Sequence, residues 1–216
     1  MKKLKISDVI LNNFIQFIFI FSSVYFAVWL TNYREAKEIE KIEKKAVESL
    51  YKELQENLIQ LDKAEKFHKE IRDRLFSYTD SIEKKLIVAN SLKPKDHLSK
   101  IFTRRSNSLG MPHLNRDSWE MLQRSEAYIT LDYELASNLG KLYRLQKSGV
   151  ELTIQKIGSE LFNTQSQFKK EESEALIFLT AWSFREIAGQ EQYLIRATKE
   201  SLNKLEEHYP FLKIKN

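Results

Sequence analysis

The sequence predicts an all-α fold, in which an N-terminal transmembrane helix continues into a long amphipathic helix that packs with later helices as an elongated helical bundle. Three observations predict it. The first 93 residues contain neither Gly nor Pro, and the whole 216-residue chain has only five and three of them; strand-rich folds need turn residues far more often. The stretch from Ile10 to Leu30 carries no charge, and about 20 apolar residues in a helix cross the ~30 Å hydrocarbon core of a bilayer. After it, apolar residues recur at spacings of three and four among Lys and Glu, as amphipathic helices require. The chain is 42% hydrophobic and 30% charged, a globular or coiled-coil composition rather than a disordered one. The roughly 185 residues after the anchor suffice for one domain with a core.

Residues 1–9 form a basic tail containing Lys2, Lys3 and Lys5, and residues 10–31 form the anchor. Phe14, Phe17, Phe19, Phe21, Tyr25 and Trp29 are its expected lipid-facing side chains. The segment is apolar all round, which marks membrane or deep burial rather than a surface stripe. Tyr25, Trp29 and Tyr33 cluster at its C-terminal end, as in an interfacial aromatic belt. Two other readings are a buried core helix and a cleaved signal peptide. The hydrophobic region is long for a signal peptide, and no small-x-small cleavage site follows it, which favours an uncleaved signal anchor. Ser22 and Ser23 offer either a small face for helix contact or hydroxyls bonded back to their own helix.

A short basic N-terminus ahead of a first apolar segment usually stays inside. The expected location is therefore a bacterial inner membrane, single-pass, with the C-terminal domain periplasmic. The raw count of Arg34, Lys37, Lys41, Lys44 and Lys45 points the other way, although long domains translocate largely regardless of charge.

Residues 32–90 read as the long amphipathic helix. Val47, Leu50, Leu54, Leu58 and Leu61 set its buried stripe; Ile39, Ile42 and Ala46 extend it backwards, and Ile71, Leu75, Tyr78, Ile82 and Leu86 forwards. The spacing is nearer 3.6 than 3.5, which favours packing in a bundle over a coiled coil. Ser77 to Ser81 is a poor helix-forming run and an expected break or kink, with Asp80 or Ser81 capping a following helix.

Residues 91–118 read as a basic loop region with one short helix from Lys95 to Phe102. Between Leu92 and Ser125 seven basic residues face three acidic ones, in a chain whose formal net charge is +5. Lys100, Arg104, Arg105 and Arg116 are the candidate anion-binding residues, against the plainer reading of a solvated loop. No RNA- or DNA-binding signature accompanies them, so nucleic acid is not an expected partner.

Residues 119–216 read as the helical bundle. Asp117 or Ser118 caps the helix that carries Trp119, Leu122 and Tyr128. Ser125 ends it, and Asp132 caps the next. One helix then runs from about Tyr133 to Phe168 with a bend at Gly149, and a last one from Glu174 to about His208, stopped by Pro210. The last helix directs Leu176, Leu179, Ile187, Leu194, Leu202 and Leu205 inward, with Trp182 and Phe184 also expected in the core. Trp119, Tyr128 and Tyr143 form either a core cluster or the lining of a pocket; core packing is favoured.

Leu54, Glu56, Asn57, Leu58, Leu61 and Asp62, followed by Trp119, Leu122, Ser125, Leu131, Asp132, Leu135, Leu139, Tyr143 and Gln146, resemble a family of uncharacterised bacterial single-pass membrane proteins. Its pattern is an N-terminal anchor, a helix with E-L-x-x-N-L-x-x-L-D character, then W-x-x-L-x-x-S and Y-x-x-Q. The resemblance covers about residues 8–150, and the family's Gly after the Ser is Glu126 here. It implies the anchored helical topology and no enzymatic role.

Catalytic patterns are missing. The chain has no Cys, which excludes disulfides, thiolate metal sites and Cys nucleophiles. His68, His97, His113 and His208 are scattered, and Glu65–His68 is a lone E-x-x-H read as a surface pair. No H-E-x-x-H and no Gly-rich phosphate loop occurs. The expected function is a non-enzymatic, cofactor-free structural or interaction protein. It would oligomerise through packing positions such as Leu50, Leu54, Leu58 and Leu61, or dock another envelope protein. The alternative is a helical sensor domain that binds a small or anionic ligand near Trp119 and the basic loop.

Overall fold

A computed structural model describes residues 6–102, 109–162, 167 and 169–215. The described residues are predominantly helical, without strands. Helix α1 runs unbroken from Ile6 to Glu83, 78 residues or about 117 Å at 1.5 Å per residue. Nothing in it can break the hydrogen-bond ladder, because no Gly or Pro precedes Pro94. From Phe14 to Lys45 its side chains are largely exposed, and the buried stripe begins at Val47. Val47, Leu50, Leu54, Leu61, Ile71 and Leu75 then line the core. Each fully buried Leu or Ile there contributes roughly 1.5–3 kcal/mol.

Helix α7, Ser173–His208, lies antiparallel against α1. Three pairs set the register: Tyr51 with Glu206, His68 with Glu191, and Ile82 with Ile177. Numbers rise along one helix as they fall along the other. Between these two helices and the solvent lie α3 (Asp117–Gln123), α4 (Ala127–Thr130), α5 (Tyr133–Leu145) and α6 (Leu152–Leu161), with a π-helical turn over Gln146–Glu151 joining α5 to α6. Helix α2 (Pro94–Ile101) closes the far end. Asp132 caps α5 as expected, its Oδ1 accepting from the Leu135 N–H at 2.9 Å. The bend expected at Gly149 is the π turn, which keeps the helix continuous.

Several expectations are corrected. Ser77–Ser81 does not break α1. The hydroxyls of Thr79 and Ser81 donate to the carbonyls of Phe76 and Ser77, so these side chains bond within their own helix instead of opening it. The helix ends at Glu83, short of residue 90. The N–H of Lys85 donates to the Ile82 carbonyl and that of Leu86 to the Ser81 carbonyl, the paired bonds of a Schellman stop. Lys85 occupies its left-handed position at φ 55°. Leu86, beyond that stop, is exposed, as is Ile42 before the core begins. Leu179 and Trp182 also face out, while Phe184 is buried. An apolar run of nine residues covers two and a half helical turns, and a helix packed on one side must turn part of such a run outward. The helices of segment 119–216 share their core with α1, which supplies its central wall.

Candidate functional site

The anchor residues Phe14, Phe17, Phe19, Phe21, Tyr25 and Trp29 are all exposed on α1. This is the one helix among the described residues long and apolar enough to cross a membrane, and none of its apolar window is covered by the rest of the chain. Phe26, Trp29 and Tyr33 stack in sequence at its end, with centroids 5.7 and 5.8 Å apart. Ser23 bonds back to the Phe19 carbonyl at 2.7 Å, so that hydroxyl is satisfied within its own helix.

The packing residues divide in two. Leu50, Leu54, Leu61, Trp119, Leu122 and Tyr143 are buried, and Leu58 is half-buried against the same core. They are therefore spent within the chain and do not form a free stripe for self-association. Trp119 stacks flat on Tyr143, 5.4 Å between centroids and 3° between planes, with Tyr128 edge-on at 6.0 Å. The arrangement fills space rather than lining a pocket.

Two polar clusters are buried on the same face of α1. In the first, Glu53 accepts from the Tyr143 hydroxyl at 2.6 Å and from the Ser118 N–H at 2.7 Å. The second bond caps α3 from a neighbouring helix, in place of the expected Asp117 or Ser118 side chain. One turn on, Asn57 donates to the Asn115 carbonyl at 2.7 Å and accepts from its N–H at 2.8 Å. Gln146 adds a longer bond to the Leu114 carbonyl, 3.3 Å. Burial first, then the Glu53 carboxylate, drives the Tyr143 hydroxyl far above its ordinary value.

In the second cluster, His68 Nδ1 lies 2.8 and 2.9 Å from the two carboxylate oxygens of Glu191. Its Nε2 lies 2.6 Å from the Leu109 carbonyl. A carbonyl only accepts, so Nε2 carries a proton, and the contact on the other side is a shared-proton pair with Glu191. Burial pushes the Glu191 carboxyl above the ordinary range, while His68 pulls it the other way. Next in the chain, Gly110 at φ +68° passes so close to Phe67 that a Cβ would meet its ring at 2.2 Å. Only Gly fits there. A third pair closes the far end: His97 Nε2 donates to the Ala89 carbonyl at 2.7 Å, and its Nδ1 meets the Tyr78 hydroxyl at 2.6 Å.

Glu53, Asn57 and His68 were not predicted as functional positions, and His68 was read as a surface residue. The signal was in the spacing. Leu61, Ala64, His68, Ile71 and Leu75 step by three and four, so His68 sits in register with the buried stripe, and Glu53 and Asn57 fall on the same face. Each of these side chains fastens a backbone segment to α1; none of the three clusters opens onto solvent with a free acid, base or nucleophile.

The candidate anion-binding residues are dispersed. Arg116 pairs with Glu120 at 3.1 Å, and Arg124 reaches the same carboxylate at 3.7 Å. Lys100 lines an open cavity of about 570 Å³ together with Glu70, Asp73 and Arg74. An anion entering beside Lys100 meets those two carboxylates, and Arg74 is bonded to Glu70. Arg104 and Arg105 lie outside the described residues. Among the described residues no group of three or more His, Asp or Glu side chains is placed to hold a metal ion. No family model, no curated protein and no solved structure matches the chain.

Proposed function

We propose that the protein is a single-span, membrane-anchored interaction module of the bacterial envelope, which holds a rigid helical bundle at a set distance from the bilayer to associate with another copy or a partner protein. One observation carries this reading. A single unbroken helix is bare and apolar from Phe14 to Leu30 and forms the wall of a closed bundle from Val47 onward. Between Leu30 and Val47 lies a charged stalk of about 25 Å at 1.5 Å per residue. The buried polar groups support a structural role, because each is used to fasten the bundle to that helix. The family resemblance in sequence belongs to the same proposal.

The test is carbonate extraction of membranes from cells that make the full chain, with a topology reporter fused after Asn216. Retention in the pellet and a periplasmic signal are expected. Release into the carbonate supernatant would refute the anchor, and a cytoplasmic signal would refute the orientation.

A further inference from the structure

The outer face of α7 carries a second, largely apolar stripe that the core leaves about half exposed. Leu179, Trp182, Glu186, Gly189 and Tyr193 step by three, four, three and four and are all exposed, Trp182 while also meeting Phe76 of α1 edge-on at 5.9 Å. Leu179 is 47% exposed, Trp182 54% and Tyr193 57%. Gly189 lies in the middle. A Gly inside a helix costs about 1 kcal/mol relative to Ala, and a reason within the fold is missing, since a Cβ on Gly189 would meet nothing within 4 Å. It forms the floor of a cavity of about 510 Å³ walled by Trp182, Arg185, Glu186, Gln190, Tyr193 and Leu145.

We infer that this face is a twofold contact between two copies of the chain, with the α7 helices crossing at Gly189. The inference rests on the anchored-module reading and names its partner. Two anchors in one bilayer place a twofold axis along the membrane normal. Helix α7 runs back along α1, so its outer face stands parallel to that axis and meets its own copy along its length. A Gly at a helix crossing lets two backbones approach closely. The charges that line the notch are Arg185, whose guanidinium lies 4.8 Å over the Trp182 ring, and Glu186, which accepts from Gln190 at 2.7 Å; one charge of each sign is self-complementary across a twofold.

The area fits an anchored dimer. With aromatic side chains of ~150–250 Å², the exposed parts of Trp182, Tyr193 and Leu179 amount to roughly 250–350 Å² of apolar surface per copy. That is about two fifths of the ~800 Å² that a stable soluble complex buries on each side. Confinement of both copies to one membrane raises their effective concentration and offsets the difference.

The chain has no Cys, so single-cysteine crosslinking needs no background removal. Full-length Gly189→Cys in liposomes, under mild oxidation, is expected to form a disulfide-linked dimer several-fold faster than Ile59→Cys or Lys199→Cys on other exposed faces. Gly189→Leu, which favours helix and leaves the fold intact, is expected to weaken chemically crosslinked dimer roughly tenfold, as for loss of one well-packed contact. Equal rates at all three cysteines, or an undiminished dimer with Gly189→Leu, would overturn the contact. Flotation of the same liposomes separates the two levels. Protein that floats but crosslinks faster at Ile59→Cys refutes this face and leaves the module reading standing. Floating protein that stays monomeric at every position refutes self-association, and protein that fails to float refutes the anchor and this contact with it.

Discussion

The His68–Glu191 pair offers the sharpest test of how the bundle is held. Both side chains are essentially inaccessible, at 1% and 0% exposure. Replacing Glu191 by Leu leaves Nδ1 of His68 without a partner in the core. Replacing His68 by Leu leaves the Glu191 carboxyl uncompensated and also frees the Leu109 carbonyl. Breaking a buried pair from one side costs about 3–5 kcal/mol, a large part of the 5–15 kcal/mol that a domain has. The double Leu variant removes both polar partners at once. Its remaining defect is the Leu109 carbonyl, about 1–3 kcal/mol. The double variant is therefore expected to be more stable than either single variant. Glu191→Gln separates charge from hydrogen bonding: its amide can donate to Nδ1 of a neutral His68, and the expected loss is only about 1 kcal/mol. The assay is urea unfolding in detergent, followed by Trp119 fluorescence with Trp29 and Trp182 replaced by Phe. Single losses that add to the double loss within about 0.5 kcal/mol would mean the groups are not coupled, and the reasoning would fail.

Three further outcomes are expected. The folded state holds the Tyr143 proton that the unfolded chain releases near pH 10. This stabilising contribution is complete below pH 10 and is lost as pH rises beyond it, at about 1.4 kcal/mol per pH unit; Tyr143→Phe should flatten the decline in urea midpoints between pH 9 and 11. Lys85→Gly should stabilise the fold by about 0.5–1 kcal/mol, because Gly accepts the left-handed position that strains Lys; a thermal midpoint that falls instead of rising refutes it. Asn57→Ala removes two bonds to Asn115 and should cost about 2–4 kcal/mol, with faster hydrogen exchange at the Asn115 amide; unchanged exchange there would show that the amide is held by something else.

The architecture was largely legible because it follows from what is missing. A chain without Gly or Pro before residue 94 has few options beyond a helix, and the apolar spacing from Val47 to Leu75 selects its buried face. The ends were less legible. The stop after Glu83 uses a Lys in a position that composition assigns to Gly, so nothing in the residues announces it. The cap on α3 comes from Glu53, more than sixty residues away, and local capping rules see only neighbours. Trp182 was misplaced because hydrophobicity alone does not fix direction; its position one step after the buried Ala181 does. His68 was misread by residue type when its register along α1 was informative.

The stalk between Leu30 and Val47 explains why these fastenings all lie on one helix. Residues 33–46 pack against nothing until the bundle begins, apart from the last turn, where Glu43 accepts from Tyr209 and Thr130 and Lys44 lies over Phe211. An isolated helix of that length is marginal in water because nucleation is unfavourable. Here the apolar segment on one side and the packed stripe on the other are both helical, so only propagation is required. The Ala, Glu and Lys that fill the stalk propagate well, and Lys37 pairs with Glu40 at 3.1 Å. A stalk held this way has stiffness without a tertiary partner. The bundle can then keep a fixed orientation relative to the apolar segment only if it cannot rotate about α1. Glu53, Asn57 and His68 prevent that rotation, because each ties a different backbone segment to one face of the helix.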